Sequence, residues 1–139
     1  YPVVSFEEVQ LIIAETAVGT NPSEALAALN SVRASNISKY GGNFDAYTTA
    51  DFAAGGMVSR GLSTSAAMTM EIMIEKFKSV IGGPTYHDIR RNKNLIGTRI
   101  KNSETNVIPQ RYLYPSSESA SNENFPGVTT QYVPVPIFN

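Results

Sequence analysis

The first part of the chain has hydrophobic residues at the spacing of an amphipathic helix. Between residues 5 and 19 they recur every three or four positions, which predicts one continuous buried face. Ser5 begins this segment and Glu8 follows three residues later, which is the capping-box pattern of a helix start. The predicted buried positions are Phe6, Val9, Ile12, Ile13 and Ala17.

A second amphipathic segment follows after a short turn. Asn21 is a favourable N-cap residue, and Pro22 suits the first helical position. Because so short a turn places consecutive helices side by side, residues 5–35 are predicted to form an antiparallel helical hairpin. The predicted contacts between its helices are made by Ile13, Ala17, Leu26 and Leu29.

A third helix is predicted over residues 63–82. A serine cap begins it, and the sequence Gly82-Gly83-Pro84 ends it. Its apolar stripe contains methionine, which adapts to the irregular walls of a ligand pocket as well as to a core. The helical period favours the core. The predicted stripe is Met70, Met73, Ile74, Phe77 and Ile81.

Two long segments lack a sustained period. Residues 36–62 form a connection rich in glycine, threonine and aromatic rings, and its length indicates a function, disorder or a short helix such as one capped by Asp51. The aromatic residues argue against disorder. Residues 84–139 begin with one or two helical turns and continue as an ordered but irregular tail, because the prolines of residues 108–127 prevent regular structure.

Composition narrows the class of protein. With 139 residues, 42% of them hydrophobic, the chain is long enough for one domain with one core. A net charge of −1 gives no basic surface for nucleic acid. The absence of cysteine excludes disulfides and thiol chemistry, and no apolar run approaches the roughly 20 residues of a membrane span.

Catalytic patterns are weak, so we predict no enzyme, no metal and no cofactor. His87 is the only histidine, and with Asp88 it supplies too few ligands for a metal site. No serine lies in a G-x-S-x-G sequence. The carboxylate pairs Glu7/Glu8 and Glu71/Glu75 are interpreted as solvated helix faces.

Two sets of residues are candidates for a defined role. Aromatic rings in a connection either anchor it to the core or offer faces to a sugar ring, and anchoring is favoured for most of them. If this chain contributes to ligand binding, we expect the connection rather than the tail to do so. The candidate rings are Tyr40, Phe44, Tyr47 and Phe52.

The second set is charged and lies at the edge of the predicted helical seam. A charge there needs a partner, because an unpaired buried charge is costly. We therefore predict structural ion pairs rather than a ligand site, with Glu15 binding one of the three arginines. The set is Glu15, Arg33, Arg90 and Arg91.

Several segments together carry a family likeness. The pair FEEVQLIIAETA and PSEALAALNSVRAS is followed by EIMIEKFKSV, YHDIRRN and IPQRYLYPSSESASNEN. In this order they resemble the closing part of the SusD/RagB family of nutrient-binding outer-membrane lipoproteins. The helix pair alone is unspecific, since tetratricopeptide-like pairs are common, but its combination with the tail is specific. The likeness runs from Phe6 to Asn124.

The resemblance implies a fold. Residues 1–139 would form a single domain, the C-terminal portion of a longer SusD-like protein. The fold would be mainly α, with a tetratricopeptide-like hairpin, further helices, and long ordered irregular loops that wrap the helices.

The resemblance also implies a function. Such proteins capture oligosaccharides, less often peptides, on the extracellular face of the outer membrane and pass them to a TonB-dependent SusC-like transporter. Membrane attachment is through a lipid on an N-terminal cysteine, which this chain lacks. The family implies no specific ligand residue here. The alternative is a helical-repeat protein-interaction module without a ligand of its own.

Overall fold

The computed structural model describes residues 4–83, 85–99, 108–127 and 131–132. These residues contain helices and no strand, so the mainly-α prediction is confirmed. The chain divides into two compact units, Tyr1–Thr85 and Tyr86–Asn139. That both belong to one domain of a longer protein stays a prediction. The helices are α1 (Phe6–Ala17), α2 (Pro22–Tyr40), α3 (Thr49–Phe52), α4 (Thr64–Ser79), α5 (Thr85–Arg91) and α6 (Ser116–Ser121).

Helices α1 and α2 form the predicted antiparallel hairpin. The Ser5 hydroxyl accepts a hydrogen bond from the Glu8 amide at 3.1 Å, and Pro22 is the first residue of α2. Glu7, at the start of α1, binds Lys39 near the end of α2, as antiparallel packing requires. Helix α2 continues five residues beyond the predicted end, because its sequence contains no stop before Gly41, which has a φ of 67°.

The buried face of α1 differs from the predicted one. Leu11 and Ala14 are fully buried, whereas Phe6, Val9 and Ile12 are 53%, 44% and 46% exposed. This helix is apolar on two sides, and the prediction combined residues from both. Ala17 is buried and Ile13 packs against the core, as do the predicted α2 contacts Leu29 and Leu26. The buried face also includes Glu7, a polar residue that a search for apolar positions passes over.

Helix α4 packs against both helices of the hairpin. The hydroxyl of Ser63 accepts from the amide of Ala66, which confirms the serine cap. Met73 is buried as predicted, and Met68 lies in the core. The rest of the predicted stripe is less buried: Met70, Ile74 and Phe77 are half-buried, and Ile81 is exposed beyond the helix end.

The long connection after α2 is part of the core. The side-chain amide of Asn30 accepts from the Tyr47 amide and donates to the Tyr47 carbonyl, both at 2.8 Å. Phe52 and Val58 are buried among the helices. A short helix is present, but Thr48 rather than Asp51 precedes it, and Asp51 closes a capping box from the third position.

Gly56 lies against the backbone of α3. A Cβ atom at this position would be 2.3 Å from the Ala50 carbonyl oxygen and 2.5 Å from that of Asp51. We expect Gly56→Ala to lower the free energy of unfolding by at least about 2 kcal/mol, because backbone atoms must shift. Gly19→Ala is the control, since its Cβ would have no atom within 4 Å. Denaturant titration of both variants tests this, and equal stabilities would contradict the packing.

The second unit combines short helices with irregular segments. Helix α5 confirms the predicted helical turns after residue 84, and α6 interrupts the tail that was predicted to be irregular throughout. The Tyr86 hydroxyl donates to the Pro109 carbonyl, and the Gln131 carbonyl accepts from the Gln110 amide at 2.6 Å. These bonds, made within the unit, order the backbone of the tail.

Candidate functional site

Carboxylates are buried in the layer between α1, α2 and α4. Glu71 and Glu75 lie one turn apart on α4 and are 3% and 0% exposed, and Glu7 of α1 is 4% exposed. The sequence interpretation of these residues as solvated helix faces is therefore wrong. A carboxylate removed from water needs cations or hydrogen-bond donors, and each of these has them.

Glu75 joins α4 to α2. Its Oε2 is 3.3 Å from Arg33 Nη1, and its Oε1 accepts from Asn36 Nδ2 at 2.7 Å. Lys78 Nζ lies 3.5 Å from Oε2 at the edge of the layer. The prediction that Arg33 serves in a structural ion pair fits this geometry, and its partner is Glu75.

Arg33 also holds the long connection in place. Its Nε donates to the carbonyl of Asp45 at 2.8 Å, and its guanidinium carbon lies 4.0 Å from the centre of the Tyr47 ring. A guanidinium over an aromatic face is attracted by the electrons of the ring. One side chain thus links a helix, a carboxylate and a loop.

Glu71 is the counterpart of Glu75 one turn earlier. Its Oε1 accepts from the Tyr47 hydroxyl at 2.8 Å, and Arg60 Nη1 lies 2.9 Å from its Oε2. The Arg60 contact is ionic rather than a directed hydrogen bond, since Oε2 accepts none among the described residues. Burial, and then the hydrogen bond to Glu71, raise the pKa of Tyr47 to about 12. Tyr47 therefore stays a proton donor to this carboxylate.

The remaining charged candidates are distributed over both units. Glu15 binds Lys76 of α4 at 3.3 Å, a partner that the sequence prediction did not name. Arg91 binds Asp88 within α5 at 3.0 Å. Arg90 is half-buried in the last turn of the same helix.

Glu7 is held ionised by two donors from α2. Lys39 Nζ lies 2.5 Å from its Oε1 and the Ser35 hydroxyl donates to it at 2.6 Å. Burial alone would raise the pKa of Glu7, but the hydrogen bonds from Lys39 and Ser35 outweigh burial and lower the pKa to about 2. The ordinary pKa of a glutamate carboxyl, which applies in an unfolded chain, is about 4.5.

This shift predicts a pH dependence of stability. As the pH falls from about 4.5 to about 2, the unfolded chain takes up the Glu7 proton before the folded protein does, so the stabilisation by Glu7 is lost. We expect Glu7→Gln to be less stable than the unmodified protein at about pH 6, and the gap to narrow at about pH 3. Urea titrations at both values measure this, and a gap independent of pH would contradict it.

The buried charges connect segments of the first unit to one another. Each carboxylate joins two or three segments of the first unit through a cation or a hydrogen bond. In the part of the chain that the structure describes, no three His, Asp or Glu side chains are placed to hold a metal ion. No helix there is long and apolar enough to cross a membrane.

The aromatic candidates of the connection fall into two groups. Phe52 is fully buried and Tyr47 is 9% exposed, and their rings meet edge to face at 5.4 Å. Neither ring has a face for a sugar, so both anchor the connection to the core. Phe44 is half-buried. Tyr40, at the end of α2, is 74% exposed.

Consecutive exposed side chains, two of them tyrosines, occur in the tail. Tyr112 is 82% exposed and Tyr114 is 48% exposed, with Leu113 between them at 59%. They line an open depression of about 390 Å³ together with Arg111 and Pro115. Sequence reasoning favoured the connection, because the prolines of the tail and its place after the last long helix suit a segment that wraps the helices.

No family model, curated protein or solved structure matches this chain.

Proposed function

We propose that this protein is the glycan-binding component of an outer-membrane SusC/SusD-type import system. It captures oligosaccharides at the cell surface and passes them to a TonB-dependent transporter. The proposal takes its family from the sequence resemblance. In this proposal the buried carboxylates between α1, α2 and α4 stabilise the fold, and exposed side chains bind the ligand.

One observation supports the proposal most. The segments that resemble SusD/RagB proteins coincide with separate ordered elements of this chain. The helix pair is the α1–α2 hairpin, EIMIEKFKSV lies mainly in α4, and YHDIRRN forms most of α5. The tail segment carries the exposed tyrosines beside an open depression, as a protein that binds sugars by stacking requires.

A second candidate function rests on the surface of α1. Phe6, Val9 and Ile12 leave an apolar face uncovered on this helix, and exposed apolar patches mark interaction sites. A helical-repeat module that binds another protein would use such a face. This function would be favoured if one protein partner co-purifies with the unmodified protein but not with Val9→Ser. A strain that carries Val9→Ser should then still take up glycans normally.

Growth of a deletion strain tests the import function. We expect loss of the gene to slow growth on one class of glycan as sole carbon source, while growth on its monosaccharide is unchanged. The full-length gene product should lie on the outer-membrane surface and co-purify with a barrel transporter. Normal growth on every glycan, with the protein found away from that membrane, would contradict the proposal.

A further inference from the structure

We propose that residues 111–115 form an oligosaccharide-binding surface on which the ring of Tyr112 stacks against one sugar residue. This inference rests on the proposed function and adds a location to it. It moves the expected ligand contact from the connection to the tail, where Tyr112 and Tyr114 lie close together on one exposed segment.

Exposure distinguishes this surface from the connection. Tyr112, Leu113 and Tyr114 are consecutive and at least 48% exposed, whereas two of the four candidate rings of the connection are buried. The depression that they line measures about 390 Å³, which is within the range of small-ligand sites. Contiguous exposed apolar side chains mark interaction or ligand-binding surfaces.

The backbone beneath this surface is fixed before a ligand arrives. The Gln131 carbonyl accepts from the amides of Gln110 and Arg111, at 2.6 and 3.3 Å. The ring of Tyr114 meets Phe125 edge to face at 5.4 Å, and α6 begins directly after Pro115. A surface held in this way loses little conformational entropy on binding, so even a few contacts give measurable affinity.

The chemistry of the surface fits a sugar better than a peptide. A sugar ring offers one face of C–H groups, which needs one exposed aromatic face, and its hydroxyls need donors and acceptors beside it. Tyr112 supplies the face and a hydroxyl that both donates and accepts, and Arg111 lines the same depression. An extended peptide would use a strand edge or a groove between rings. The described residues contain no strand, and Phe125 already contacts Tyr114.

Calorimetric titration of the full-length gene product tests the inference. The probes are soluble oligosaccharides of glucose, xylose, mannose and galacturonate, with a proline-rich peptide for comparison. We expect Tyr112→Ala to weaken binding by about tenfold or more, and Tyr112→Phe to stay within about threefold. Because Tyr112 is 82% exposed, its replacement should leave the melting temperature unchanged. Tyr40→Ala, which removes the exposed ring at the end of α2, should bind as the unmodified protein does.

The possible results separate the inference from the proposed function. Oligosaccharide binding that survives Tyr112→Ala, or that only Tyr40→Ala weakens, overturns the inference and leaves the proposed function standing. Binding of no oligosaccharide overturns both, as does binding of the peptide alone. If Tyr112→Ala does not fold, tyrosine-ring NMR of the unmodified protein decides. The Tyr112 signal, assigned through Tyr112→Phe, should shift most on adding sugar, and an unchanged signal overturns the inference.

Discussion

Glu75→Gln is expected to lower the free energy of unfolding by about 3–5 kcal/mol. The substitution keeps the size of the side chain but replaces one carboxylate oxygen by an NH₂ group. In the folded protein both oxygens receive donors, from Arg33 and from Asn36. The new NH₂ group therefore faces one of these donors, and Arg33 keeps a positive charge in a buried place without its counter-ion.

Glu123→Gln is the matched control for this substitution. It makes the same chemical change at an exposed position, where the expected effect is within about 0.5 kcal/mol. Urea denaturation followed by circular dichroism gives both values. If Glu75→Gln were as mild as the control, the buried charges would not be what holds α2 to α4.

Phe52→Ala is expected to cost about 3–5 kcal/mol, because it removes a fully buried aromatic ring. The loss would show that the connection after α2 belongs to the core. Phe44→Ala is the comparison from the same segment. Its half-buried ring lies 5.9 Å from the Arg33 guanidinium carbon, so the expected loss is clearly smaller.

Oligosaccharide binding measured on the same two variants tests whether the Phe52 ring contacts a ligand. A Phe52→Ala protein that still folds, at low temperature, should keep its oligosaccharide affinity. If Phe52→Ala had normal stability but no affinity for the oligosaccharide, the ring would be a ligand contact, and its burial would be contradicted.

The existence of the helices could be predicted from sequence because local signals determine it. Ser5, Asn21 and Ser63 each accept a hydrogen bond from the third residue of the helix that follows, as capping requires. The end of α2 was predicted five residues too early, although Asn36 through Tyr40 contains neither glycine nor proline to end a helix. Only Gly41 offers the conformation that ends it.

Which face of each helix is buried, and where the buried carboxylates lie, could not be predicted because both depend on residues distant in the sequence. Glu7, Glu71 and Glu75 look solvent-exposed when only apolar residues are counted, yet each is buried beside a cation. The cations of Glu7 and Glu75 include one on α2, and that of Glu71 is Arg60 in the connection. Arg33 was predicted to be a structural charge because it lies at the edge of the predicted helical seam. Its partner was missed because the pairing joins residues 42 positions apart.

The proposed capture of oligosaccharides is tested most directly by titration calorimetry of the full-length gene product. We expect at least one oligosaccharide of the panel to bind with a dissociation constant between micromolar and millimolar, about −8 to −4 kcal/mol. Stacking on a few rings and a few hydrogen bonds accounts for such weak binding. No heat of binding with any oligosaccharide, from a protein shown to be folded, would contradict the account.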